Sequence, residues 1–474
     1  MNTVHPLSHA QEAQWFLQEL SPDSGAYNAG LAVRVNSAVD VAALAQAVAA
    51  LGPRHGMLRS RFTLAEGLPA RLESSTSPLR LTVREHPGVT AERLHAAVRA
   101  ELTAPFALRA DVPFRIALLT NGPEDAVLLV AGHHIATDAV SNTLLLRDLL
   151  QEYGRITGAP HTAPRPLPAG YDDHVDKERR LLASARGTGM ARYWQGVHRG
   201  SAPAALPTDR PRPPVQSFTG ETLRVTAGPE LTDAVADLAA ATGATRYAAL
   251  LGVFQAVLHR HTRQRDFLVG VPTTTRLSSR MRDVVGNFMN TVVVRARPQP
   301  RSTFRAYVLA ADEQLKHGME AARYPFSLIA RAAGTQRAAG RSPLYQITFN
   351  LLATAHFDAA LQPVLDTTRP ERLTHHAGLV LSPYHLPQQE GQLDLAVDVL
   401  QGGDALAFDF RYDTHLYERE SVQWLSGHFL RAIDIAARNP DSIVAAARFW
   451  DAATPQSPGP GAAAPRNDAA AVHA

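Results

Sequence analysis

Residues 126–139 read Ala-Val-Leu-Leu-Val-Ala-Gly-His-His-Ile-Ala-Thr-Asp-Ala. An apolar run of strand length ends at His133 and His134, and Asp138 follows four residues after the second histidine. A neutral imidazole with a pKa of about 6.5 can take a proton at neutral pH, or orient an amine. A strand that carries such a ring to its own end holds a base still. Adjacent strand residues face opposite ways, so only one of the two rings can face a given site. His134 is the candidate base, and His133 points away into the core. Asp138 lies one helical turn further on and suits a supporting role better than proton transfer. Taken alone, His-x-x-x-Asp also describes a core histidine followed by a capping aspartate, so the surroundings must decide.

Composition narrows the classes. A chain of 474 residues exceeds one comfortable core, which predicts two lobes. Cysteine is absent, which excludes disulfides, thiolate metal sites and an acyl-cysteine intermediate. No metal is expected. Net charge is +3 with no block of like charge, so nucleic acid is not expected as a partner. No apolar run approaches the ~20 residues that span a bilayer. The N-terminus, Met1-Asn-Thr-Val-His-Pro, has no basic start or apolar core. A cytoplasmic protein with no membrane partner is the expectation. Lysine occurs only at Lys177 and Lys316, a coding bias toward arginine with no functional reading.

The elements that must position the histidines follow from hydrophobic period. Ser8-His-Ala-Gln11 has the form of a capping box opening a helix with Trp15, Phe16 and Leu20 on one face. Strands are predicted at 31–35, 80–84, 114–119 and 126–130, with helices at 40–51 and 90–102. Asp138 or Ser141 caps a helix running through Leu149 to Gly154. One helical segment from Tyr171 to about Trp194 bridges to the second half. There, helices at 231–242, 245–261, 303–321 and 417–438 alternate with strands at 267–271, 291–295, 345–352, 393–400 and 407–412. No glycine-rich phosphate loop appears, so two α/β lobes built as α+β two-layer sandwiches fit better than a dinucleotide fold. The expected division is 1–178 for the lobe with the histidine motif and 179–450 for a second lobe with segments crossing back over the cleft. An Ala/Pro/Gly-rich tail at 451–474 is predicted to be disordered.

With its surroundings, the stretch resembles the His-His-x-x-x-Asp-Gly signature of condensation domains of non-ribosomal peptide synthetases, within the chloramphenicol-acetyltransferase-like superfamily. Further matches follow in that family's order. Ser8-His-Ala-Gln11 with Trp15-Phe-Leu and Ala26-Tyr-Asn is similar to its opening motif, and Arg54-His55-x-x-Leu58-Arg59-x-x-Phe62 to its second. Tyr171-Asp-Asp173, Tyr193-Trp194 and the run from Leu206 to Pro213 resemble the crossover between lobes. Val269-Gly270-x-Pro272 with Arg276, then Val285-Gly286-Asn-Phe288-Met-Asn290-Thr291, resemble the segment that folds back over the cleft. Tyr324-Pro325-Phe326 and Ser342-Pro343-Leu344-Tyr345-Gln346 resemble the last motifs. The likeness covers roughly residues 5 to 445.

The resemblance implies two chloramphenicol-acetyltransferase-like lobes in a V with a central tunnel. It implies acyl or aminoacyl transfer from a carrier-protein phosphopantetheine thioester to an amine, or in some members a hydroxyl. The protein itself would bind no cofactor; the arm arrives with the carrier. His134 would serve as base or positioner, and Asp138 would pair with Arg276. Ala139 stands where the family usually has glycine, so its methyl is either tolerated or narrows the tunnel, alters the substrate or marks lost catalysis. Asn290 and Thr291 could donate hydrogen bonds near the thioester carbonyl, or simply build their loop. Arg59, Tyr345 and Gln346 read as structural. An arginine-rich face near the tunnel mouths could greet an acidic carrier protein, or be solvated surface. The sequence shows neither an adenylation motif nor a carrier-type serine motif, so either a free-standing protein or a part of a larger synthetase is expected. Two rivals remain: an acyl-CoA transferase, whose plant-type Asp-Phe-Gly-Trp-Gly signature is missing, and a non-catalytic recruitment platform, whose histidine motif would be disrupted.

Overall fold

The computed structural model describes residues 3–163, 165–334, 344–354 and 357–448. Residues 451–474, read above as a tail, and Ser342-Pro343 of the last motif lie outside them. The first half runs β1 (Thr3–Pro6), α1 (His9–Leu20), β2 (Asn28–Val35), α2 (Val41–Arg54), β3 (Ser60–Ala65), β4 (Leu68–Glu73), β5 (Leu81–Glu85), α3 (Ala91–Thr103), β6 (Phe114–Gly122), β7 (Asp125–His133) and α4 (Ala139–Thr157). The connector holds α5 (Tyr171–Leu182), α6 (Ala185–His198) and β8 (Ala202–Pro203). The second half continues with β9 (Gly220–Ala227), α7 (Pro229–Thr242), α8 (Arg246–Thr262), β10 (Phe267–Thr274), β11 (Met289–Ala296), α9 (Phe304–Glu320), α10 (Phe326–Ala332) and β12 (Ile347–Ala353). It ends with α11 (Gln362–Leu365), β13 (Thr374–His376), β14 (Leu379–Tyr384), β15 (Leu395–Gln401), β16 (Leu406–Asp413) and α12 (Arg419–Arg438).

The bridging helix is two helices rather than one. The chain breaks at Ala183, and Ser184 caps α6 by accepting from the Gly187 N–H at 3.3 Å. Tyr171 and Val175 of α5 pack in the first core, whereas Met190 and Trp194 of α6 pack in the second. Leu181, near the end of α5, already packs against the second core, so the change of core falls within α5, between Val175 and Leu181, and the expected 178/179 division lies in that interval.

Two sheets organise the molecule. The six-stranded sheet runs β13-β14-β2-β7-β6-β5, and the seven-stranded sheet runs β11-β10-β12-β15-β16-β9 with β8 beside β10. In the first, α2 and α4 cover one face through Leu44, Val48, Leu145 and Leu149, and α3 covers the other through Leu94, Val98 and Leu102. The strand carrying the histidines is central to it, and Val127 to Val130 are buried on both faces.

The chain crosses between the halves twice after β10. Met281, Val284, Val285 and Phe288 lie in the first half's core, although they come from the second half of the sequence. Leu361, Val364, Leu379 and Leu381 do the same, and β14 pairs antiparallel with β2 from Leu381↔Val35 to Tyr384↔Ala32. The first crossing falls on the stretch matched to the cleft-covering motif. Strands β13 and β14 were not expected from the sequence: β13 is three residues long, and Pro383 within β14 argues against a strand until its pairing with β2 is known.

Close packing fixes the first crossing. Tyr171 donates its hydroxyl to the Asn287 carbonyl at 2.5 Å, with its ring against Phe288 at a centroid distance of 5.2 Å. A β-carbon at Gly286 would overlap that tyrosine ring. Gly286→Ala is expected to lower the unfolding free energy by about 1–3 kcal/mol, read as a shift in the urea midpoint.

Candidate active site

His133 ends β7, and the chain turns through Ile135–Thr137 into α4. The two rings diverge. His133 is fully buried; its Nδ1 accepts from the Ile135 N–H at 3.1 Å, so its Nε2 carries the proton and donates to Gln18 Oε1 at 3.0 Å. Burial, with the neighbouring His134 ring adding to it, pushes the His133 pKa down to about 3. This ring is a neutral core group tying β7 to α1.

His134 turns the other way. Its Nδ1 lies 3.0 Å from the Thr137 carbonyl, which can only accept, so Nδ1 carries the proton and Nε2 holds the lone pair. That lone pair meets the side-chain amide of Gln389, on the segment joining β14 to β15. Burial lowers the His134 pKa from its ordinary value, against the opposing pull of the Thr137 carbonyl and Asp138. The ring is a neutral, oriented base whose reactive nitrogen faces the boundary between the two sheets. It is only 5% exposed, and neither of the two described cavities reaches it.

Asp138 does not touch the imidazole. Its Oδ1 caps α4 by accepting from the Ser141 N–H at 2.7 Å, and its Oδ2 accepts from the Phe288 N–H at 3.1 Å. Arg276 Nη2 reaches both carboxylate oxygens, at 3.2 and 3.3 Å. The same guanidinium donates to Ser141 Oγ at 2.8 Å and to the carbonyls of Met281 and Val284, and stacks 4.0 Å from the Phe288 ring centroid. The pair joins the helix after the histidine loop to the first crossing.

The opening motif holds the loop from the far side. Ser8 and Gln11 form a capping box, and Gln11 Nε2 donates to the Ile135 carbonyl at 2.9 Å. The second motif holds α4: His55 Nε2 and Arg54 Nε sit 2.9 and 2.7 Å from Asp148 Oδ2. Burial alone would raise the Asp148 pKa; the His55 ring and the Arg147 and Arg54 guanidiniums outweigh it and hold the carboxyl at about 2. Arg59 is occupied by Glu73 and the Ser74 carbonyl. The one described group with metal-like spacing, His5, Glu73 and Asp172, already has a cation between its carboxylates. Arg71 reaches Glu73 at 2.8 Å and Asp172 at 2.6 Å.

Three sequence candidates had more than one reading open. Asn290 is buried and saturated: its amide donates to the carbonyls of Ala322 and Tyr324, both at 2.8 Å, and its carbonyl accepts from the Phe326 N–H at 2.9 Å. It has no N–H left for a thioester, so it builds the loop. Thr291 is half-buried and accepts from the Tyr345 hydroxyl at 3.4 Å. Ala139 is exposed at the first turn of α4, outside the left-handed region, so neither a crowded wall nor a glycine-only backbone is present there. Gln389 and Arg411, which touch or back the imidazole, were not found by motif. Glutamine and arginine beyond any signature carry no spacing signal.

The condensation-domain family matches residues 1–456 of the sequence. The chain belongs to the condensation-domain family. It is 32% identical to phosphinothricin tripeptide synthetase PhsC of Streptomyces viridochromogenes over 453 residues, covering 93% of this chain and 40% of that protein. It is 28% identical to tyrocidine synthase 3 of Brevibacillus parabrevis, covering 93% of this chain and 6% of that protein. This condensation domain thus spans less than half the length of these relatives. Among solved structures, its fold is similar to a holo four-domain non-ribosomal peptide synthetase, AB3403, with TM-score 0.85, 21% identity and coverage of 95% of this chain and 34% of that one. It is also similar to the teicoplanin-biosynthesis X-domain solved in complex with OxyB, with TM-score 0.80, 22% identity and coverage of 94% and 96%. A condensation domain of the calcium-dependent antibiotic synthetase matches with TM-score 0.75, 22% identity and coverage of 95% and 100%. The two-lobe, chloramphenicol-acetyltransferase-like α/β fold is therefore the fold of this chain. No described helix is long and apolar enough to cross a membrane.

Removing one partner of a buried ion pair strands the other. Asp138→Ala in this condensation domain is expected to cost about 3–5 kcal/mol and to raise amide exchange across 276–288, measured by hydrogen–deuterium exchange. The neutral rings give a second expectation. The His133 pKa falls from 6.5 unfolded to about 3 folded, so the unfolded chain binds the extra proton between those values. Stability is full above pH 6.5 and falls toward pH 3, with a slope of about 1.4 kcal/mol per pH unit from this group. Urea midpoints across that range measure it, and the slope lessens in His133→Asn.

Proposed function

We propose that this condensation domain is an acyl transferase that moves an acyl or aminoacyl group from a carrier-protein phosphopantetheine thioester to an amine, in the biosynthesis of a non-ribosomal peptide or a related product. The observation that carries the reading is the state of His134: a neutral ring, its proton fixed on Nδ1 by the Thr137 carbonyl, its lone pair turned toward the other half. In the reaction the amine nitrogen attacks the thioester carbonyl carbon and the C–S bond breaks. The proton lost by nitrogen passes through Nε2 to the departing thiolate. A ring held in one tautomer and already desolvated suits that transfer. Asp138 and Arg276 act at one remove, by fixing the loop that holds the ring.

Ester formation uses the same nitrogen with a hydroxyl acceptor, and acyl-CoA offers the same thioester on a soluble arm. A non-catalytic platform is the second reading. It is favoured by the closed imidazole and by the likeness to the X-domain, which is a likeness of fold.

The test is incubation with a synthetic acyl-pantetheine donor and a panel of amines and alcohols. Product is expected with amines, and His134→Ala should lower kcat/KM by on the order of 10²–10⁴. Because the imidazole pKa lies below 6.5, the acid limb of the pH profile should fall below pH 6.5. Equal rates in wild type and His134→Ala would remove the ring from the mechanism. No product with either class, together with tight binding to a partner enzyme, would favour the platform.

A further inference from the structure

Residues 385–394 carry the chain from β14 in the six-stranded sheet to β15 in the seven-stranded sheet. Two neighbouring glutamines on this strap do opposite things. Gln388 clamps it to β2, accepting from the Gly30 N–H at 2.7 Å and donating to the Gly30 carbonyl at 3.0 Å. Gln389 is held at φ +57°, the left-handed region that side-chain-bearing residues seldom adopt. Such conformations persist only where the surroundings impose them, and they gather at functional sites. Here the conformation sends the carboxamide onto His134 Nε2.

The orientation of that carboxamide is set from its other end. Arg411 Nη1 lies 3.4 Å from Gln389 Oε1 and donates to the Gln388 carbonyl at 3.1 Å. A guanidinium only donates, so the oxygen faces Arg411 and the NH₂ faces the imidazole. Arg411 is itself fixed across neighbouring strands, with Nη2 2.6 Å from Asp398 Oδ2. Its Nε is buried with no hydrogen-bond partner among the described residues, which leaves a donor to spare.

Gln389 thus offers an N–H to the base and a carbonyl to a cation. An α-aminoacyl group offers the same two functions, an amine and the carbonyl beside it. Resting on the transferase reading above, we infer that Gln389 stands in the acceptor's place, and that Arg411 is the positioning residue that takes the acceptor's carbonyl once Gln389 is displaced. A plain alkylamine would fill only half of the place that Gln389 occupies.

Two measurements test this. The first is the rate of diethylpyrocarbonate modification at His134, read by peptide mass spectrometry in wild type, Gln389→Gly, which suits the backbone, and Gln389→Asn, whose side chain is too short to reach. Both variants are expected to raise that rate by about tenfold, the loss of one hydrogen-bonded cover. The second is acyl transfer to a glycyl-pantetheine acceptor and to propylamine. Gln389→Gly should lower KM for both without lowering kcat. Arg411→Lys, which keeps a charge beside Asp398, should raise KM about tenfold for the glycyl acceptor and leave that for propylamine unchanged. Equal His134 modification in wild type and both glutamine variants overturns the inference, as does a fall in kcat with unchanged KM, the mark of an orienting group. Modification needs no turnover. Faster modification without any transfer therefore sinks the transferase reading and the Arg411 role but keeps the displaceable cover. Transfer with unchanged modification overturns the inference and leaves the transferase reading standing.

Discussion

One buried carboxylate holds the arrangement together. Asp138 accepts from the Ser141 N–H on its own helix, from the Phe288 N–H and from Arg276 on the other half. A carboxylate has four lone-pair directions, and three kinds of donor converge on this one. Taking a charge out of water is costly unless every direction is met, so the helix start, the first crossing and the guanidinium must be in place together. The histidine loop lies between β7 and that capped helix and inherits its rigidity.

The imidazole's chemistry follows from that rigidity. The loop sets the Thr137 carbonyl against Nδ1, which decides the tautomer. Burial then decides the charge, because a low-dielectric surrounding disfavours the protonated ring. The adjacent ring, subject to the same burial, is committed to Gln18 and the Ile135 amide and takes no part in the site. Two identical side chains, one residue apart, thus differ in role because the strand turns them to opposite sides.

Neither half completes the site alone. The six-stranded sheet supplies His134, but the second half supplies β14 as an added strand, Arg276 for Asp138, and Gln389 and Arg411 against the base. The strap between β14 and β15 is what closes the imidazole's surroundings. Its anchors are Gln388 on Gly30, and Glu390 on Arg99 and Thr222. They bind it to both halves, so its position reports how the halves sit.

Much of this was legible beforehand. The apolar run into His133, the Ser8–Gln11 capping box and the helix behind Asp138 are local patterns, each set by neighbours within a few residues. The family motif carried the Asp138–Arg276 pairing as an expectation, and the two side chains do meet. Asn290 was left between two roles because a polar residue beside a motif looks the same whether its amide is free or bonded to Ala322 and Tyr324. The break between α5 and α6, the pairing of β14 with β2 and the closing of His134 by Gln389 were invisible for a related reason. Periodicity and capping record interactions along the chain, so the sequence alone determined the elements, the paired histidines and the buried strand that carries them. What covers His134 and which arginine stands behind that cover depend on residues more than 250 positions apart in the chain, and only packing brings those together.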